Sequence, residues 1–414
     1  MLKKYLEMNN SNLNLFTDYS GLKKSTVLSM NKKSVGDWKI DQLNSLSKYL
    51  NKDITTIIDE INKLKINFDK NSSIKLGKFN IENRRYIGNK NKLIAWMMPL
   101  IFGNTEGESF FDVFAGTGIV SKNVLHNYKK IILNDFLYSN EIIYKAFFNG
   151  ATFNEDKLQQ LKEKYNNISP NKLEENYFSI NYGNKYLSLN DSKKVGKIRD
   201  LIDANNSIND KERSILLSSL VYSVDKISNT VGHYDAFRTN NLPKDRFNFE
   251  LINPLKTTDK IIEIFRSDAN ILSKKIRADI TFIDPPYNSR QYSRFYHLLE
   301  NLVKWDKPRL YGKAMKPPSE NISSYSKVDA PESFENLIQS LNSKYIVVTY
   351  NNTYSPKSSS SKNKISHEQI LHSLNSVGIT KVFEKKHDFF NSGKTKFQDH
   401  KEFLFITKVE KEKA

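Results

Sequence analysis

The stretch Phe110-Phe111-Asp112-Val113-Phe114-Ala115-Gly116-Thr117-Gly118 decides the fold. Its first half is apolar enough for a buried strand, its second half holds two glycines, and a helix is expected from about Ile119. A strand that runs through a glycine turn into a helix is the ligand-binding corner of an open α/β sheet. There a backbone without Cβ lets a ligand approach closely. The third glycine of the dinucleotide fingerprint is missing, with Val120-Ser121 in its place, and no Gly-Lys-Ser/Thr follows. Neither a dinucleotide nor a phosphate loop is therefore read.

A carboxylate, Asp112, ends the strand just before the glycines. It suits a ligand with a positive amino group better than a pyrophosphate. S-adenosylmethionine has an ammonium and a sulfonium and lacks phosphate, so it meets that description. Asp135 ends the next apolar run, 23 residues after Asp112. That spacing matches an acidic residue that takes ribose hydroxyls in this sheet topology.

Working outward, apolar runs at 109–114, 131–134, 279–283, 345–349 and 403–407 read as strands, with helices between them at 92–101 and 296–304. Strands alternating with helices predict an α/β, Rossmann-like, doubly wound sheet. Between 139 and 274 the pattern is irregular and mostly helical, which predicts an inserted lobe. The sheet domain is then expected at 81–138 and 275–414, and 355–364 reads as a flexible basic loop.

Asp284-Pro285-Pro286-Tyr287 follows the 279–283 strand, in a chain with only 11 prolines among 414 residues, so the pair is unlike chance. Ligands of open sheets bind beyond the carboxyl ends of strands. Proline stiffens the turn and removes N–H donors, which leaves backbone carbonyls pointing outward. The Asp284 carboxylate and the Pro285 carbonyl can each accept a hydrogen bond from an exocyclic amine. Tyr287 offers a ring on which an extruded base can stack.

The first 66 residues read as short helices joined to the rest by a polar linker, 67–80. Leu13, Phe16 and Leu22 follow helical spacing broken at Gly21, Leu43, Leu46 and Leu50 share one face of a helix at 40–50, and Asp53 caps the next helix, 54–64. The pattern resembles the helix-turn-helix of the phage-repressor class, whose second helix enters the major groove. On that resemblance Lys24 to Met30 forms the reading helix, and Lys23, Lys24, Ser25 and Thr26 are DNA-binding candidates, with Lys32 and Lys33 nearby.

Lys and Arg number 64 against 46 Asp and Glu, a formal charge of +18 that favours polyanions, nucleic acid first. There are no cysteines, which excludes disulfides, thiolate metal sites and a thiolate nucleophile. No apolar run spans a membrane and no signal peptide is read, so a cytoplasmic protein is expected. His233, His297, His367, His372, His387 and His400 show no metal-ligand spacing, and no metal is expected.

With glycine loop and tetrapeptide together, the chain resembles the DNA adenine-N6 methyltransferases of the alpha class, in the order lead segment, glycine loop, target-recognition region, tetrapeptide. The run from Asp284 through Asn288-Ser289-Arg290-Gln291-Tyr292 resembles methyltransferases of type IIS restriction–modification systems. The resemblance implies cofactor contacts from Tyr86 and Lys90 in Arg85-Tyr86-Ile87-Gly88-Asn89-Lys90, a ring beside the cofactor at Phe114, and an acidic contact to its adenine at Asp268. It also implies that Arg290, Gln291 and Tyr292 help to hold the flipped base or its phosphates, and that 139–274 is the target-recognition region. Double-stranded DNA is the expected substrate, and a cognate restriction endonuclease the expected companion, without an obligate complex. Two other readings stay open: N4-cytosine methylation, and a DNA-binding transcriptional regulator whose methyltransferase body is secondary.

Overall fold

The computed structural model describes residues 2–33, 35–68, 73–240, 242–286, 291–351, 365–386 and 401–410. The chain forms two compact units: Met1–Ser72 with Lys90–Glu106, and Ser73–Asn89 with Gly107–Ala414. Among the described residues no helix is long and apolar enough to cross a membrane.

The first unit is helical. Its helices are Leu2–Met8, Leu13–Ser20, Lys24–Lys32, Ile40–Leu50, Ile54–Phe68 and Ile94–Asn104. The Asn12 side chain accepts from Asn14 N and Leu15 N to start the second helix, and Gly21 ends it at φ 65°. The third helix then begins at Lys24. Leu6, Phe16, Val27, Met30, Trp38, Leu43, Leu46 and Ile57 close the core. The helix Ile94–Asn104 packs against Leu2–Met8. It buries Trp96, Met97, Leu100 and Ile101, which explains why it is apolar over most of its surface.

The second unit is built on a seven-stranded sheet of order β3-β2-β1-β4-β5-β7-β6. The strands are β1 Ser109–Asp112, β2 Lys130–Asp135, β3 Ile261–Arg266, β4 Arg277–Ile283, β5 Asn342–Asn351, β6 Gly378–Lys386 and β7 Lys401–Val409. The first five in spatial order are parallel, and β7 runs antiparallel to both of its neighbours. Two of these strands were not read from the sequence. β3 lies within the stretch read as mostly helical, and β6 lies between the runs 345–349 and 403–407, where no strand is expected. Both are sheet edges, half-covered rather than cleanly alternating, so periodicity gives little signal. The helices Tyr138–Phe148, Glu155–Asn166, Tyr177–Tyr182, Leu189–Asp203 and Asp210–Ile227 fill the connection from β2 to β3.

The polar stretch expected as a linker is tied to this unit from residue 73 onward. Ser73 and Phe79 bridge to Leu255 and Ile252. The Asn253 side-chain oxygen accepts from Leu76 N at 3.1 Å and Gly77 N at 2.7 Å. A Cβ at Gly77 would stand 2.1 Å from the Leu251 carbonyl oxygen, so the two backbones meet where only glycine fits.

Candidate active site

Strand order reverses between β1 and β4, and the carboxyl ends of β2, β1 and β4 open side by side at that switch point. The glycine turn is hung between them. Val113 N donates to Phe282 O of β4 at 3.0 Å, and Ala115 N to Asn134 O of β2 at 2.9 Å. Gly116 and Gly118 both take positive φ, 53° and 74°. At Gly118 a Cβ would press on Ile81 at 3.0 Å and Phe148 at 3.2 Å, so that glycine serves helix packing. At Gly116 it would face the Tyr86 ring at 3.2 Å.

Asp112 is buried at the end of β1, with Oδ2 accepting from Ser121 Oγ at 2.7 Å. Its Oδ1 is buried without a hydrogen-bond partner. Burial pushes the carboxyl up to about 7, against the Ser121 hydrogen bond. This is an acceptor held ready for a cation.

Asp135, at the end of β2, is engaged by the protein itself. Oδ2 accepts from Gly116 N at 3.0 Å and Oδ1 from Leu137 N at 2.9 Å. The Asn140 side chain also bonds to it, while burial raises its pKa. Asp135 therefore joins the glycine turn to the helix Tyr138–Phe148. That helix is closed at both ends by buried ionisable side chains from elsewhere, Glu300 with its pKa raised and Lys211 with its pKa lowered to about 7, both by burial. Glu300 accepts from Tyr138 N at 2.9 Å and Ser139 N at 2.8 Å. Lys211 Nζ donates to Ala146 O at 2.7 Å and Asn149 O at 2.5 Å. The carboxyl group accepts from backbone N–H groups at the amino end and the amine donates to carbonyls at the carboxyl end, which the helix leaves without partners of its own.

Tyr86 lies in a stack with Tyr296 at 4.7 Å and 5°, and beside Tyr292 at 5.4 Å. The Arg84 guanidinium sits 4.8 Å over the Tyr86 ring and donates to Asn140 Oδ1 at 2.6 Å. Phe114 is half-buried, edge-on to Tyr325 at 5.0 Å. Asp268 uses Oδ1 to cap the short helix Ala269–Ser273, accepting from Asn270 N at 2.9 Å and Ile271 N at 3.1 Å. Lys90 is buried in the helical unit, where it opens a short turn and its carbonyl accepts from Leu93 N at 2.8 Å.

Asp284 and Pro285 extend β4 into the same crevice. Thr349 Oγ1, from the neighbouring strand β5, donates to Asp284 Oδ1 at 2.9 Å and fixes the carboxylate. Pro286 is half-buried. Tyr287 and Arg290 lie outside the described residues, as does the basic loop 355–364. Gln291 clamps the backbone of Ser323 with both ends of its amide, at 2.9 and 2.7 Å. The Tyr292 hydroxyl donates to Ile87 O at 3.3 Å. Lys23, Lys24 and Ser25 are exposed at the start of the third helix of the helical unit, and Thr26 is half-exposed.

Sequence reading missed Ser121, Asn140, Tyr144, Glu300 and Thr349. Each acts on Asp112, Asp135, Asp284, the turn or the start of the helix Tyr138–Phe148 only through folding; Tyr144, for example, donates to Gly116 O at 2.8 Å. The one local hint is that Asn140 and Tyr144 share a helix face.

Residues 86–358 match the family of D12 class N6 adenine-specific DNA methyltransferases. The chain is similar to modification methylase StsI of Streptococcus sanguinis, 34% identical over 286 residues, covering 65% of this chain and 44% of that protein. It is also similar to modification methylase LlaI of Lactococcus lactis, 30% identical over 290 residues and 46% of that protein. The chain thus spans about half the length of these two relatives. Type II methyltransferase M.NlaIII of Neisseria lactamica is 30% identical over 334 residues, 76% of this chain and 95% of the relative.

Proposed function

The chain belongs to the D12 class N6 adenine-specific DNA methyltransferase family, and we propose that it transfers a methyl group from S-adenosylmethionine to N6 of an adenine extruded from duplex DNA. We place it in the cytoplasm as the modification enzyme of a restriction–modification system, beside an endonuclease that acts separately. The observation that carries this reading is the shared crevice, with Asp112, Asp135 and Asp284 at the ends of three adjacent strands.

The residues fit the cofactor. The orphaned buried Oδ1 of Asp112 suits an ammonium group, and the Cβ-free face at Gly116 leaves room beside Tyr86. Asp112 would hold the amino group and Asp135 the ribose hydroxyls, with Tyr86 and Phe114 against the apolar parts. Asp268 would add the contact to the cofactor's adenine that the family resemblance implies. When bound, S-adenosylmethionine supplies an electrophilic methyl group.

The chain's own part is orientation. Asp284, held by Thr349, and the Pro285 carbonyl accept the two N6 hydrogens and aim the nitrogen lone pair. Tyr287 stacks on the extruded base. Gln291 and Tyr292, through their bonds to Ser323 and Ile87, steady the segment that bears Arg290. A direct displacement needs no protein nucleophile. In the helical unit, the exposed Lys23, Lys24 and Ser25, with Thr26, favour a separate DNA contact, which also supports a regulatory role for that unit.

Transfer of radiolabelled methyl onto duplex DNA, followed by nucleoside analysis, tests the proposal. Label in N6-methyladenine is expected. Label in N4-methylcytosine, in RNA alone or in no nucleoside overturns it.

A further inference from the structure

Residues 307–316, Lys-Pro-Arg-Leu-Tyr-Gly-Lys-Ala-Met-Lys, carry four cationic side chains and no acidic one. Their backbone is committed inward. The Tyr177 hydroxyl donates to Pro308 O at 2.7 Å, and Tyr186 and His297 meet Ala314 O at 3.1 and 2.8 Å. Just beyond, Arg294 donates to Pro317 O at 2.6 Å and Ser293 to Glu320 O at 2.9 Å. Tyr311 and Lys316 exchange both backbone hydrogen bonds, at 2.8 and 2.9 Å, around a turn in which Gly312 has φ 70°. A turn so tightly bound loses little freedom when it meets a partner.

The side chains take the opposite course. Arg309 and Lys313 are exposed, and Tyr311 is 53% exposed with the Arg309 guanidinium 5.5 Å over its ring. Lys307 and Lys316 are neutralised by Asp200 and Asp235. Arg309 and Lys313 have no carboxylate partner among the described residues. Two uncompensated cations beside an exposed, cation-backed aromatic ring match the chemistry of a nucleic-acid strand. His297 meets the turn at Ala314 O, and Arg294 and Ser293 hold Pro317 O and Glu320 O just beyond it, all three from the short helices that follow Asp284-Pro285-Pro286 in the chain.

We propose that this turn is a DNA-gripping element of the enzyme: Arg309 and Lys313 bind backbone phosphates beside the target base, and Tyr311 lies against an exposed base. The choice of partner rests on the methyltransferase reading.

The test uses the full chain and a fluorescent mixed-sequence duplex, with affinity measured across a salt series. Replacing both cations (R309Q with K313Q) is expected to make the slope of log affinity against log salt shallower by about 1.8, and K313Q alone by about 0.9. Tyr311→Ala is expected to weaken binding about tenfold with Tyr311→Phe close to the parent, since the ring rather than the hydroxyl stacks. A parental slope and affinity in the double variant overturn the phosphate grip, and parental binding by Tyr311→Ala overturns the stacking. Methyl transfer by the parent onto the same duplex is read separately. Its absence, with the slope change intact, sinks the methyltransferase reading and leaves the turn as a DNA contact.

Discussion

The Tyr296 ring lies parallel to that of Tyr86, 4.7 Å away, and its hydroxyl accepts the Ile87 amide hydrogen at 2.8 Å. One residue thus fixes both the ring and the backbone of the segment that faces Gly116. Tyr296→Phe keeps the stack and loses the bond, whereas Tyr296→Ala loses both. Calorimetry should show cofactor affinity falling slightly in the first and further in the second, the difference reflecting about 0.5–1.5 kcal/mol of ring pairing. Equal affinity in both variants and the parent would show that the stack does not shape the cofactor site.

Asp284 is the acceptor whose loss should separate chemistry from binding. Asp284→Ala is expected to lower methyl transfer at least about a hundredfold, the scale of one key polar contact in the transition state. Cofactor affinity should stay near the parent. Thr349→Val, which removes the bond that fixes the carboxylate, should reduce transfer less. Near-parental turnover by Asp284→Ala would remove it from the mechanism.

The raised carboxyl of Asp112 makes cofactor binding depend on pH. Burial puts it at about 7, so below that pH it is protonated and must give up its proton before holding an ammonium. Affinity should therefore rise with pH up to about 7 and level off above it. In the protein alone the sign is opposite for stability. The unfolded chain ionises at 3.8 and the fold only at about 7, so this group's contribution falls as pH rises between those values. Asp112→Asn should bind weakly and flatten the affinity profile. A flat parental profile from pH 5 to 8 would show that the carboxylate does not meet the cation.

Truncation tests the independence of the first 66 residues. A cut there removes Leu2–Met8, the helix on which Ile94–Asn104 packs. The shortened chain should melt well below the parent in thermal unfolding. Substituting Lys23 and Lys24 with Gln is the gentler probe, expected to leave melting unchanged and to lower the salt slope of DNA binding by about 1.8. An unchanged slope would exclude that helix from phosphate contact.

The amino-acid sequence alone determined the chemistry-bearing corners: a strand feeding Gly116 and Gly118, carboxylates at Asp112 and Asp135, and two prolines after Asp284. These are local signals. Glycine answers a positive φ, proline removes a donor, and a short apolar run reads as a strand whatever lies far away in the chain. The edge strands β3 and β6, the docking of residues 73–80 and the grouping of Ile94–Asn104 with the first helices were decided by tertiary structure. So were the partners of the site: Ser121 on Asp112, Thr349 on Asp284, Glu300 and Lys211 at the two ends of one helix. Most of these depend on residues tens to hundreds of positions apart, and a buried carboxylate or lysine is tolerable only where such a partner arrives. Local pattern cannot specify that arrival, because side-chain pairing across the fold follows from how whole elements pack.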